Sequence, residues 1–128
     1  MVMDEKRYLQ LNDIEAYKLA FQLSNQLWDR VILWDFFAKD TIGKQFVRAM
    51  DGISANIAEG FGRYHKKDKI KFYQYAKGSM YECLDWCEKA KKRSLLSIAE
   101  YDEIHKKLKQ LPKAINALIK YTNEKLKE

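Results

Sequence analysis

The side chains whose types and spacing could do chemistry begin in one stretch, residues 46–63. Arg48, Asn56, Glu59 and Arg63 fall on one narrow stripe at about 100° per residue, with Gly52 among them. Ser79 and Glu82 follow, three residues apart. A carboxylate between arginines and an amide can hold a polar ligand, fix helix register or join two subunits. It does not make a nucleophile and base. The sequence has no G-x-S-x-G, no P-loop and no H-E-x-x-H. Arg48, Asn56, Glu59, Ser79 and Glu82, with Arg63, are therefore expected to form a structural polar network.

The remaining candidates add little reaction chemistry. His65 lies in a basic connection and His105 on what reads as the exposed side of the last helix, so both are expected to be solvated. Glu100 and Glu103 precede His105 at the wrong spacing for a di-iron bundle, which needs Glu-x-x-His pairs facing inward. Cys83 and Cys87 are the only cysteines, and their spacing completes no zinc site. They read as reduced core residues. No catalytic residue, metal or cofactor is expected.

Charge offers a different chemistry. The chain of 128 residues has a net charge of +6, unevenly spread. Residues 1–62 hold 7 Lys/Arg and 9 Asp/Glu, residues 63–93 hold 10 and 4, and residues 94–128 hold 7 and 5. A polyanion is drawn to the middle third. Arg63, Lys66, Lys67, Lys69, Lys71, Lys77, Lys91, Lys92 and Arg93 are the candidate phosphate contacts, with Tyr64 and His65 interleaved as stacking groups for RNA or single strands.

The elements that must position these groups are helices. One proline and five glycines in the whole chain leave too little punctuation for an all-β fold. Apolar content of 47% supports a folded chain, and the length suits one domain over residues 1–128. Residues 1–11 read as a short arm, poorly fixed unless Tyr8, Leu9 and Leu11 dock. A first helix, capped by Asn12 with Glu15, is expected to run to about Phe37, burying Ile14, Tyr17, Phe21, Ser24, Trp28, Val31 and Asp35, widened by Ala20, Leu27 and Trp34. A second, capped by Asp40 or Thr41, covers about 41–61. It contains Gly43 and Gly52, each costing about 1 kcal/mol of helix propensity, a sign of close packing. Gly60 and Gly62 are expected to close it with a left-handed cap.

A third helix, capped by Asp68, covers roughly 69–93. Its apolar side, Ile70, Tyr73, Ala76, Met80, Cys83, Leu84, Cys87 and Ala90, is flanked by Phe72, Tyr75, Ser79 and Trp86, so wide that it must lie centrally or also face another subunit. Ser97 and Glu100 form a capping box. The fourth helix carries the best heptad, Tyr101, Ile104, Leu108, Leu111, Ile115, Leu118 and Thr122, continued in phase across Pro112, which bends the helix without reversing it. Residues past about 122 should fray. The expected fold is an all-α, antiparallel up-down-up-down four-helix bundle, its last helix kinked at Pro112. The N-terminus has no secretory h-region and no stretch is long and apolar enough to span a membrane, so the expected location is cytoplasmic.

Two blocks carry a family resemblance. Arg48-Ala49-Met50-x-x-Ile53-Ser54-Ala55-Asn56-Ile57-Ala58-Glu59-Gly60-Phe61-Gly62-Arg63 resembles the signature of the four-helix bundle proteins encoded in bacterial 23S rRNA intervening sequences. Phe72-x-x-x-Ala76-x-Gly78-Ser79-x-x-Glu82 resembles that family's second block. The family is similar in fold to the accessory variability proteins of diversity-generating retroelements. The resemblance implies a bacterial, non-enzymatic protein that forms a homopentamer and binds RNA or DNA through a basic surface. It also implies an alternative, a protein-interaction scaffold whose partner is a reverse transcriptase. Met50 and Asp51 stand where the family tends towards small or basic residues, and Asp51 argues against this face being itself basic.

Overall fold

The computed structural model describes residues 9–126. Most of the arm expected over residues 1–11, Tyr8 included, lies outside them. The chain forms four antiparallel helices and, among the described residues, no strand. After a short 3-10 turn, Leu11–Asp13, come α1 (Glu15–Val31), α2, α3 (Lys66–Lys92), α4 (Ile98–Leu108) and α5 (Leu111–Lys125). The continuous helix α2 passes through Phe36–Ala38, a π-helical segment Lys39–Gly43 and an α-helical Lys44–Phe61. Together α4 and α5 make the fourth arm of the bundle. Each arm packs on the two next to it: α1 and α3 flank α2, and the α4–α5 pair closes the square against α3 and α1.

The α4–α5 arm follows its heptad fully. Tyr101, Ile104, Leu108, Leu111, Ile115, Leu118 and Thr122 are all buried. The helix breaks at Lys109–Gln110, and Pro112 sits in the first turn of α5, where its missing N–H removes no intrahelical bond. Both segments pack on the same neighbours, so the arm bends without reversing. The helix continues to Lys125, beyond the expected onset of fraying. Ser97 caps α4 as expected: its hydroxyl accepts from the Glu100 N–H at 3.1 Å and the Glu100 carboxylate accepts from the Ser97 N–H at 2.9 Å. Arg30 of α1 donates to the same carboxylate at 3.1 Å.

Four boundaries differ from expectation. Gln10 and Asp13 cap the 3-10 turn, and α1 starts at Glu15 without a side-chain cap, so Asn12 is not its cap. The first helix ends at Val31, not Phe37, because Asp35 accepts from the Ala38 N–H at 3.0 Å and starts α2 there, ahead of Asp40 and Thr41. Helix α3 begins at Lys66 after His65, which places Asp68 inside its first turn rather than at the cap. No described glycine has positive φ; Gly62 ends α2 in right-handed geometry, and among the described residues the one left-handed residue is Ser94, after α3.

The phase of α1 also differs. Ala16, Ala20, Leu23, Leu27 and Val31 are buried, whereas Phe21 and Trp28 are more than half exposed. Small and aliphatic residues let α1 sit close to its neighbours, and the bulky rings lie on the shoulder. Cys83 and Cys87 are buried free thiols, both pushed up by burial, Cys87 to about 12.

The glycines of α2 mark close contacts. A Cβ on Gly43 would lie 2.9 Å from Val31 Cγ1, and one on Gly52 would lie 3.1 Å from Ser79 Oγ. The tightest approach is at Gly60, where a Cβ would sit 2.7 Å from Tyr73 Cε1 and 2.9 Å from the Lys69 carbonyl oxygen. Tyr73 is fully enclosed; burial pushes its phenol up to about 12, and its hydroxyl meets Thr122 of α5. Gly78, on the exposed side of α3, has nothing within 4 Å of its would-be Cβ.

Two tests follow from these contacts. Gly60→Ala is expected to destabilise by roughly 1–3 kcal/mol through overpacking, whereas Gly78→Ala should stabilise by about 0.5–1 kcal/mol through helix propensity. Urea unfolding of each variant measures both. The Ser97 N–H, ahead of Arg30, holds the Glu100 carboxyl below its ordinary range. Its contribution is complete above the unfolded value, about 4.3, and is lost as pH falls through the lower folded value. Glu100→Gln should therefore flatten that part of the acid-unfolding curve followed by circular dichroism.

Candidate nucleic-acid interface

The nine basic candidates stand on one helix and the connection before it, but they do not make one surface. Lys67 and Lys92 are separated by roughly 37 Å at the α-helical rise. One group, Arg63 to Lys77, gathers at the start of α3; the other, Lys91 to Arg93, lies at its end. Between them α3 turns acidic, with Glu82, Asp85 and Glu88.

Several of these cations hold the fold. Lys69 donates from Nζ to the Phe61 carbonyl at 2.7 Å, and sits 5.4 Å from the Phe61 ring centroid. It thereby satisfies a free carbonyl at the C-terminus of α2, where a cation also complements the helix dipole. Burial lowers its pKa, the cost of placing an ammonium there. Lys66 does the same for α5, donating to the Leu126 carbonyl at 3.2 Å and the Asn123 carbonyl at 3.4 Å. Lys77 donates to Asn116 Oδ1 at 3.0 Å. Arg63 pairs with Glu59 at 2.7 Å and lies 4.6 Å over the Phe72 ring.

The others point outward. The side chains of Lys67, Lys92 and Arg93 make no hydrogen bond or ion pair among the described residues, and all three residues are exposed. Lys71 and Lys91 rest against the Phe72 and Tyr101 rings at 5.5 and 4.3 Å, which leaves the ammonium groups open to a phosphate. Tyr64 is exposed, edge-on to His65 at 5.0 Å between ring centroids.

Three further cations join the first group. The Lys66 and Lys77 bonds run α5 antiparallel to α3, so exposed Lys113, Lys120 and Lys125 come to the same end of the bundle. Sequence distance hides them; pairing the last arm against α3 in an up-down bundle was the available signal.

The polar network does not close. Glu59 is engaged by Arg63, and Asn56 donates from Nδ2 to the Gly52 carbonyl of its own helix at 2.8 Å. Ser79 lies beside Gly52. Arg48 and Glu82 are exposed and make no ion pair or hydrogen bond among the described residues. Helical i,i+4 partners satisfy the stripe locally, leaving these two charges facing outward. His105, expected to be solvated, instead stacks on Tyr101 at 5.0 Å, with Nε2 3.7 Å from Glu88 Oε2. The Tyr101 hydroxyl donates to the same carboxylate, and that bond, ahead of burial, pushes the phenol up to about 12. This cluster ties α4 to α3. Among the described residues no three His, Cys, Asp or Glu side chains converge as a metal site, and no helix is long and apolar enough to cross a membrane.

Comparison with known proteins finds a family and a fold likeness. The profile of the family described as 23S rRNA-intervening sequence protein matches residues 12–117. The fold is similar to the crystal structure of a protein of unknown function from the S23 ribosomal protein family of Bacteroides thetaiotaomicron, with a TM-score of 0.71 at 17% identity, over 81% of this chain and 97% of that one. No curated protein matches.

The division of the lysines is testable within the free protein. Lys69→Ala should lose about 1.5–3 kcal/mol, the range for a charged hydrogen-bond partner, while Lys67→Ala should stay within about 0.5 kcal/mol of the parent, as surface substitutions do. Thermal and urea unfolding compare them.

Proposed function

The chain belongs to the 23S rRNA-intervening sequence protein family, and from that premise we propose that it is a non-enzymatic, self-associating cytoplasmic bundle that binds the backbone of RNA or DNA by charge. The homopentamer implied by the resemblance is the assembly this reading adopts. One observation carries the reading: Lys67, Lys71, Lys92 and Arg93 stand exposed with no carboxylate paired to them. Cations that the fold does not use are free to release counterions from a polyanion. Lys113, Lys120 and Lys125 enlarge the first patch. The roughly 37 Å between the two patches is close to one turn of a duplex, about 34–36 Å, so a strand pair lying along α3 would meet both.

A second reading has its own observation. Tyr75 and Tyr81 are more than half exposed on α3 beside unpaired Glu82, a surface suited to a protein partner such as the reverse transcriptase of a retroelement. Retention of a partner after nuclease treatment would favour this scaffold role.

Labelled RNA titrated with the protein between roughly 50 and 200 mM salt tests the leading reading. Affinity should fall steeply with salt. Changing Lys67, Lys71, Lys92 and Arg93 together to Ala should weaken binding and reduce the slope of log K against log salt by about 4, near 1 per phosphate contact, with helicity unchanged. No binding at low salt, or a slope that these changes leave intact, would overturn it.

A further inference from the structure

The corner between α1 and α2 exposes apolar side chains that the bundle has no use for. Asp35 caps α2 and turns the chain so that Leu33, Phe36 and Phe37 project, at 76%, 76% and 77% exposure. Beside this knob is a hollow of about 440 Å³ lined chiefly by Trp28, Val31, Ile32, Gly43 and Val47. Trp28 and Ile32 are themselves 53% and 47% exposed. None of the three knob residues lines the hollow. Together the five exposed side chains offer on the order of 600 Å² of apolar surface, taking roughly 150–250 Å² for each large side chain. That is the top of the range for a monomer's largest patch; a knob-in-hollow contact uses one half of it from each copy, so it is smaller than the ~800 Å² per partner of a standard interface.

We propose that the Leu33–Phe36–Phe37 knob of one copy seats in the Trp28–Val47 hollow of a second copy. The inference rests on the self-association of the preceding reading and names the surface that carries it. A second copy is the fitting occupant because this chain bears both halves of the contact, an apolar projection and an apolar recess, side by side and unable to satisfy each other. The charges agree in sign: Asp35 adjoins the knob in sequence, while the hollow's lining carries Lys39, Lys44 and the unpaired Arg48 against a single carboxylate, Asp51. Seating one knob in one hollow without the reciprocal contact is head-to-tail and propagates until rotation closes a ring.

Light scattering on three proteins and one mixture tests this. The parent should be oligomeric. Phe36→Ser with Phe37→Ser removes the knob and keeps the hollow; Val47→Glu blocks the hollow and keeps the knob. Each variant should be monomeric alone, and the two mixed should form a 1:1 heterodimer that grows no further, since one knob and one hollow remain intact. If Val47→Glu loses helicity, Ile32→Asp at the exposed rim replaces it. A monomeric parent overturns both this contact and the assembly reading. An oligomeric parent whose variants keep its mass overturns the contact alone. So does a mixture that stays monomeric, or variants that keep their mass and lose only a co-purifying protein.

Discussion

The bundle depends on the approach of Gly60 to Tyr73. At that point α2 and α3 come so close that a methyl group on α2 would overlap both the ring and the Lys69 carbonyl. The enclosed ring then reaches Thr122 of α5, so a single side chain joins three helices. The same approach sets the chain reversal between α2 and α3. With the helices this close, Lys69 can reach back to the last carbonyl of α2, that of Phe61. The position of the basic segment that follows is thus a consequence of a missing Cβ.

That geometry explains why the lysines of α3 are not equivalent. An ammonium at a helix C-terminus satisfies carbonyls that would otherwise lie unpaired, and Lys66 and Lys69 do this for two different helices. Lys67, between them in sequence, points away from both ends. A run of like charges in sequence is therefore two populations in space, one that closes the bundle and one that remains available to a polyanion. The acidic middle of α3 divides the available population again, into patches at opposite ends.

Periodicity was legible where packing is simple. The last arm buries a narrow seam between two neighbours, and its heptad from Tyr101 to Thr122 is buried throughout. The first helix misled because Phe21 and Trp28 read as core by size, whereas Ala16 and Leu23 occupy the interior. The boundary at Asp35 was hidden because Asp40 and Thr41 are equally good caps by type, and only the turn at residues 32–35 chooses between them. Of the polar stripe along α2, Glu59 and Asn56 bond within their own helix, while Arg48 stays unpaired. The structural use of Lys66 and Lys77 depends on atoms of α5, some 40 to 60 positions away, which no local pattern contains.

The π-helical turn Lys39–Gly43 has a consequence for how such a hairpin can vary. A π segment holds one residue more than the α-turns around it, so it offsets everything before it by about 100° relative to everything after it. Phe46 to Ile57 keep their inward phase, while Phe36 and Phe37 ride upstream of the offset. The segment is a phase adjuster. Gain or loss of a single residue there can turn an aromatic pair towards solvent or away from it without disturbing the core downstream, giving the hairpin a one-residue dial for what its corner presents.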